Sequence, residues 1–295
     1  MSELTLQSNG ITICYDEFGN KTAPAILLVM GLGTQMIAWT EEFCMELAAK
    51  GYRVIRFDNR DVGLSQKFDE QKPPNIVLSA LCGMLNLPLK IPYTLMDMAN
   101  DALGVLDALS INKAHIVGAS MGGMIGQLLA ANYPERVLSL TSIMSTSGLR
   151  SLPGPSIKVI KLMLAKRGGT TEEYVATSMK LWRVIGSPAY VPNEEELRER
   201  ILRSYNRSFY PSGYGRQLAA INAWGDRVKE LKAIKVPTLV IHGKADVLVP
   251  VEGGIDTARH IKGAKLELFD GMGHDLPRPL LSQFSQLIHE NAQTA

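Results

Sequence analysis

The stretch HIVGASMGGMIGQLLA, residues 115–130, sets one serine among small residues at the junction of two patterns. His115-Ile-Val117 is a short apolar run of strand type, and Met124-Ile-Gly-Gln-Leu-Leu-Ala130 is helix-like, so Ser120 falls on a strand-to-helix turn. So tight a turn forces strained backbone angles on its apex, and side chains two positions before and after it would strike the neighbouring strand and helix. Gly118 and Gly122 remove those side chains. The turn is expected to expose Ser120 Oγ above the carboxyl end of a sheet and to bring the Met121 amide, at a helix start, to a developing oxyanion. The competing reading is a phosphate or dinucleotide loop. Neither Gly-x-Gly-x-x-Gly nor Gly-x-x-x-x-Gly-Lys-Ser/Thr can be written through residues 118–126, so that reading fails.

A serine hydroxyl is a poor nucleophile at neutral pH and needs a base, which in turn needs a carboxylate to orient it. Among the five histidines, His274 stands in Gly271-Met-Gly-His-Asp-Leu-Pro277, a glycine-rich loop after the strand-like Leu266–Phe269. His115 and His242 lie within strand-like runs, and His260 and His289 on helix-like ones, where packing or surface roles are expected. Asp246 follows the strand-like Thr238–His242 through Gly243-Lys-Ala and is the candidate acid. Asp270 and Asp275 compete with it, but Asp275 adjoins His274 and is badly placed to reach the far side of that ring. Asp226 and Asp256 read as helical or exposed. Ser120, Asp246, His274 is therefore the expected catalytic set, in the chain order of a nucleophile-elbow hydrolase.

The surrounding pattern fits. Ser8-Asn-Gly10 between two short alternating runs signals an opening hairpin. Strand-like runs at Ala25–Met30, Arg53–Phe57 and Val137–Met144 alternate with helix-like stretches near 41–49, 96–109 and 122–132, which argues a parallel sheet covered on both faces. A helical tail is expected near 280–290. From about 146 to 225 the alternation is interrupted by helix-like runs near 156–166, 171–184 and 194–205, the last opened by Glu194-Glu-Glu196. Aromatic residues here, Trp182 among them, either line a pocket or pack the helical layer. A second irregular stretch, Pro73–Pro92, reads as a flap or a packed connection.

Charge excludes some partners. With 31 basic against 29 acidic residues the formal net charge is +2, which gives no basis for binding nucleic acid or an anionic membrane. Cys14, Cys44 and Cys82 are odd in number and lack metal-ligand spacing, so neither a disulfide framework nor a metal site is expected. The first residues lack the basic and apolar regions of a signal peptide, and no run reaches membrane-spanning length. The expectation is a soluble cytoplasmic protein acting on a small molecule, with no membrane insertion.

On the motifs Val29-Met-Gly-Leu-Gly33, Phe57-Asp-Asn-Arg-Asp-Val-Gly-Leu-Ser65 and Gly118-Ala-Ser-Met-Gly-Gly123, the chain resembles the α/β-hydrolase fold superfamily over nearly its whole length. Within it the closest likeness is to carboxylesterases of the aclacinomycin methylesterase type. The resemblance implies a mostly parallel eight-stranded sheet flanked by helices, with residues 1–145 and 226–295 as the core and 146–225 as a helical cap. It also implies that the Leu32 amide is the second oxyanion donor beside that of Met121. Two departures stand out: Met30 replaces the usual histidine before Gly31, and Asp61 replaces the first glycine of the Asp-x-Arg-Gly-x-Gly-x-Ser turn. Asp58, Arg60 and Ser65 read as stabilisers of that turn. Met30, Gly31 and Trp182 are carried forward as substrate-contact candidates.

The implied activity is hydrolysis of small to medium, partly apolar carboxylic esters through an acyl-enzyme, with no cofactor, since base and oxyanion hole carry the proton and charge changes. Carbon-carbon bond hydrolases, lactonases and cofactor-independent haloperoxidases share such triads and are the alternatives, together with a catalytically silent binding protein on the same fold. The haloalkane dehalogenase and epoxide hydrolase relatives would require Asp where Ser120 stands.

Overall fold

The computed structural model describes residues 3–295 except 86, 88 and 166–168. The chain opens with the hairpin of β1 (Leu4–Ser8) and β2 (Ile11–Phe18). Its turn residues Asn9 and Gly10 have φ of 48° and 78°, the left-handed pair that a two-residue hairpin loop demands. There follow β3 (Ala25–Val29), α1 (Glu41–Ala49), β4 (Arg53–Phe57), α2 (Ile76–Leu85), α3 (Leu95–Ala108), β5 (Ala114–Ala119), α4 (Met121–Asn132) and β6 (Val137–Ile143). The helices α5 (Ile157–Met163), α6 (Thr171–Ile185), α7 (Glu194–Arg207) and α8 (Pro211–Trp224) come next. The chain ends with α9 (Val228–Ala233), β7 (Thr238–Gly243), α10 (Glu252–His260), β8 (Lys265–Phe269) and α11 (Leu281–Ala292).

The eight strands form one sheet in the order β1-β2-β4-β3-β5-β6-β7-β8. The hairpin strand β2 runs antiparallel to β1 and to β4, and every other pairing is parallel. Period-two alternation gives the sheet two apolar faces. Leu27, Val29 and Ile116 pack with Leu95, Met98, Ile125 and Leu128 of α3 and α4. Ile26, Leu28 and Val117 pack on the other side with Phe43 and Leu47 of α1 and with Phe284 and Ile288 of α11. Because β3 to β8 are parallel, the loops leaving β3, β5, β7 and β8 all emerge at one rim, the place where open α/β sheets hold their ligands.

The sequence expectations for the strands and for α1, α3, α4 and α11 hold to within a few residues. The run 156–166 is helical over Ile157–Met163, and its last residue lies outside the described set. The helices α2 and α8 were not anticipated. Helix α8 hides behind Gly213 and Gly215, which lower helix propensity. Gly213 is there for close approach: a Cβ on it would lie 2.1 Å from the Asp61 carbonyl oxygen. Helix α2 is apolar nearly all round and so shows no amphipathic period. It starts at Asn75, whose Oδ1 accepts the Leu78 N–H at 3.0 Å, and packs along α8, so Pro73–Pro92 is a packed connection over its described residues.

Buried charge joins α7 and α8 to the sheet. The Arg216 guanidinium pairs with both Asp61 oxygens at 2.7 and 2.9 Å, each side chain almost wholly buried, and Tyr93 Oη donates to the same carboxylate at 2.7 Å. Arg207 donates to Asp58 at 2.7 Å and to Glu3 at 2.6 Å. Asp61, which occupies the glycine position of its motif, has φ 67°, a left-handed conformation that Asp tolerates better than most residues. Its departure from the pattern is what supplies the partner for Arg216. Asp58 meanwhile accepts the N–H groups of Met36 and Leu64, Ser65 Oγ donates to the Asp58 carbonyl, and Arg60 pairs with Asp101. These side chains hold the turn together, as expected of them.

Candidate active site

Ser120 sits between β5 and α4 with φ 54° and ψ −117°, a conformation rare for any residue with a Cβ and one that survives only where the surroundings over-determine it. They do so through glycine. A Cβ on Gly118 would lie 2.1 Å from the Gly122 oxygen, and one on Gly122 would lie 2.0 Å from the Val29 oxygen. The Ser120 N–H donates to the Ile143 carbonyl at 2.9 Å, pinning the apex to β6. The side chain is left half-buried, facing the rim.

His274 and Asp246 arrive there from the loops after β8 and β7. His274 Nδ1 lies 2.6 Å from Asp246 Oδ2, and His274 Nε2 lies 3.0 Å from Ser120 Oγ. An ionised carboxylate only accepts, so Nδ1 carries the proton, and Nε2 is left to accept from the serine hydroxyl. Asp246 Oδ1 accepts the N–H groups of Leu248 and Val249 at 2.9 and 2.8 Å. Burial by itself would raise the Asp246 carboxyl, but the charge of His274 and hydrogen bonds from His242 and His274 hold its pKa down at about 2.

None of the other candidates converges on Ser120. His115 bonds to Ser139, His242 to the Val249 carbonyl, His260 to the Asp256 carbonyl and His289 to Tyr52. Asp270 pairs with Lys244 at the surface, and Asp275 turns to Ser187. Burial raises the Asp275 carboxyl despite its bonds with Ser187.

Facing the serine is the loop after β3. A Cβ on Gly31 would stand 3.1 Å from Ser120 Cβ and 3.7 Å from Ser120 Oγ, so the loop lies close against the serine and a side chain there would crowd it by a few tenths of an ångström. Residues 31–34 form a turn in which the Thr34 N–H donates to the Gly31 carbonyl at 3.2 Å and Gly33 takes φ 62°. Neither the Leu32 nor the Met121 N–H has a hydrogen-bond partner among the described residues. Met30 points into the core cluster on the α1 and α11 side, and its carbonyl accepts from Asn59 at 2.9 Å. Trp182 packs between two small clusters of α5, α6 and α7, with the Arg200 guanidinium 5.0 Å above its ring. A cavity of about 170 Å³ opens beside Gly33, between the loops of the sheet rim and Tyr174, Phe209, Tyr210 and Tyr214 of the intervening helices.

The chain from α6 to α8 also touches the loops of Gly33 and His274, contacts that the sequence pattern does not show. The His274 N–H donates to the Ile185 carbonyl at 2.6 Å, the Gly273 N–H to Ser187 Oγ at 2.9 Å, and the Gly33 N–H to Gln217 Oε1 at 2.8 Å. Asp61 was the one available signal, since a carboxylate in a glycine position asks for a cation.

A family model described as the alpha/beta hydrolase fold matches residues 24–177. The chain belongs to the α/β hydrolase fold family. Rhodomycin D methylesterase DauP of Streptomyces sp. (strain C5) is 30% identical, the match covering 93% of this chain and 90% of that protein. Rhodomycin D methylesterase DnrP of Streptomyces peucetius is 28% identical with the same coverage. Among solved structures, the enol-lactonase from Burkholderia xenovorans LB400 superposes with a TM-score of 0.76 at 25% identity, covering 98% of this chain and all of that one. No helix among the described residues is long and apolar enough to cross a membrane.

Proposed function

We propose that this α/β hydrolase cleaves carboxylic esters with Ser120 as nucleophile, His274 as general base and then acid, and Asp246 as the group that orients His274. The hydrogen-bonded line from Asp246 through His274 to Ser120, at 2.6 and 3.0 Å, carries the reading. His274 Nε2 takes the hydroxyl proton as Ser120 Oγ attacks the ester carbonyl, and Asp246, ionised at any pH above about 2, stabilises the imidazolium so formed. The Leu32 and Met121 amides, with no other partner among the described residues, receive the oxyanion. Collapse expels the alcohol with the proton from His274 and leaves an acyl-enzyme, which water cleaves by the reverse roles. Likeness to two methylesterases favours an ester with a small alcohol part. A lactone, an internal ester opened by the same steps, is the second reading, favoured by the likeness to an enol-lactonase.

Residues 146–225 are read as the cap over this site, and Tyr210→Ala tests that by raising KM for bulky esters more than for small ones. The protein is read as cytoplasmic, which cell fractionation checks. The decisive experiment is fluorophosphonate labelling and ester turnover of the wild type beside Ser120→Ala. The expected result is labelling at Ser120 and a loss of about six orders of magnitude in kcat in the variant. A folded wild type that neither labels nor turns over any ester or lactone would sink the proposal.

A further inference from the structure

In the proposed reaction the turn 31–34 supplies the Leu32 amide as an oxyanion donor, so whatever holds that turn sets half of the oxyanion hole. Its own hydrogen bond, from the Thr34 N–H to the Gly31 carbonyl, fixes only the ends. The middle peptide, between Leu32 and Gly33, is free to rotate in an isolated turn, since the common turn types differ by a flip of that plane. Rotating it changes ψ of Leu32 and φ of Gly33, and the Leu32 N–H, which belongs to the preceding peptide, keeps its place only where the turn as a whole is anchored.

Here the middle peptide is held from 184 residues away in sequence. Gln217 on α8 is wholly buried. Its Oε1 accepts the Gly33 N–H at 2.8 Å, and its Nε2 donates at 2.8 Å to the carbonyl of Arg60, in the turn that follows β4. Three residues earlier on the same helix face, the Tyr214 ring comes within 2.8 Å of where a Gly33 Cβ would be. The turn is thus gripped at its N–H by one side chain and pressed at its Cα by another. Both belong to α8, whose Arg216 is locked to Asp61. A buried amide with both ends paired to different backbone segments is a rigid strut, since breaking either bond leaves an unsatisfied polar group.

We infer that Gln217 is a positioning residue for the oxyanion hole, anchoring the 31–34 turn through the Gly33 N–H so that the Leu32 N–H is held in place toward the tetrahedral intermediate. The inference rests on the esterase reading. It predicts a loss confined to the transition state, because the ground-state ester has little charge on its carbonyl oxygen. A donor removed outright from an oxyanion hole costs about 10²–10³ in kcat, and a donor misdirected by a loosened turn costs about 10–100-fold.

The test compares wild type with Gln217→Leu, similar in volume and unable to bond to Gly33 or Arg60, on an ester that wild type hydrolyses and Ser120→Ala does not. Active-site concentration is counted by fluorophosphonate titration. Affinity is measured for a trifluoromethyl ketone, which forms a tetrahedral adduct with its oxygen in the hole, and for the intact ester with the Ser120→Ala and Ser120→Ala/Gln217→Leu proteins. The expected result is a fall of about 10–100-fold in kcat per active site, a matching fall in trifluoromethyl ketone affinity, and ester binding within about 2-fold. A lower melting temperature with kcat per site and ketone affinity unchanged would overturn the inference, and so would an equal loss in ester binding. If Gln217→Leu does not fold, Gln217→Met is read in the same way: it offers Arg60 no donor and Gly33 at most a weak sulfur acceptor, so kcat and ketone affinity must still fall together. A wild type without esterase activity, or Ser120→Ala retaining it, strikes the esterase reading and not the strut.

Discussion

The elbow around Ser120 and the turn around Leu32 lie against each other, yet they are held in different ways. At the elbow the constraint is carried by backbone: Gly118 is fitted to Gly122, Gly122 to Val29 of β3, and the apex amide bonds to Ile143 of β6, so close-packed strands and helix hold Ser120 at φ 54°. At the turn the constraint is remote, supplied by Gln217 and Tyr214 from a helix nearly two hundred residues on. The histidine loop belongs with the turn, because Ile185 and Ser187 at the end of α6 hold Gly273 and His274. One half of the site is held by the backbone of the sheet, and the other half by side chains and carbonyls of α6 and α8 and the segment after α6.

Three substitutions press on that contrast. The largest effect is expected at the elbow. Gly122→Ala puts a Cβ 2.0 Å from the Val29 oxygen, so β3 and the elbow must separate. A displacement approaching 1 Å should cost about 10²-fold or more in kcat. Gly154→Ala, with nothing within 4 Å, serves as the control that leaves kcat unchanged. Near-normal turnover in Gly122→Ala would mean that the elbow does not depend on its close backbone packing against β3.

Next comes the seam. Arg216→Met strands the Asp61 carboxylate with exposure near zero and only Tyr93 Oη and the Phe68 N–H as donors. Breaking one side of such a pair costs about 3–5 kcal/mol, readable as a shift in urea unfolding. The comparison is sharpened if kcat falls as well, since α8 then carries the turn with it. An unfolding free energy within 1 kcal/mol of wild type would show that the ion pair does not hold α8.

The smallest effect is sought in the sheet, away from both regions. Burial holds the His115 imidazole down at about pKa 4, against an ordinary value near 6.5. The folded state therefore binds fewer protons than the unfolded chain between these values, and stability falls as pH drops from about 6.5 to 4, by up to about 3 kcal/mol. His115→Gln should flatten the thermal unfolding midpoint over that window while leaving turnover at neutral pH unchanged. An equally steep loss in the variant would assign the pH dependence to other groups.

Much of the site could be read from residues in order because its parts are local in the chain. Gly-x-Ser-x-Gly between a strand and a helix is a backbone requirement, and a base and an acid at two later strand ends follow from a parallel sheet delivering its loops to one rim. Asn9-Gly10 settled the hairpin for the same reason, since only a few residue types accept two successive positive φ values. Helix α8 escaped because its glycines answer to Asp61 and Pro73 rather than to any local turn. Met30 and Trp182, plausible pocket residues by type, are engaged in packing, and apolar type alone does not say which way a side chain faces.

By itself, then, the sequence determined the strand-turn-helix around Ser120, the chain order of Ser120, Asp246 and His274 and the layered α/β plan, since short-range sterics and period-two or helical patterning are written in consecutive residues. The tertiary structure alone decided the 2.6 and 3.0 Å contacts that join those three side chains, the ion pairs of Asp58 and Asp61, and the grip of α6 and α8 on the loops of His274 and Gly33. Those depend on hydrogen bonds and close contacts between segments brought together only by folding, and no window of consecutive residues contains both partners.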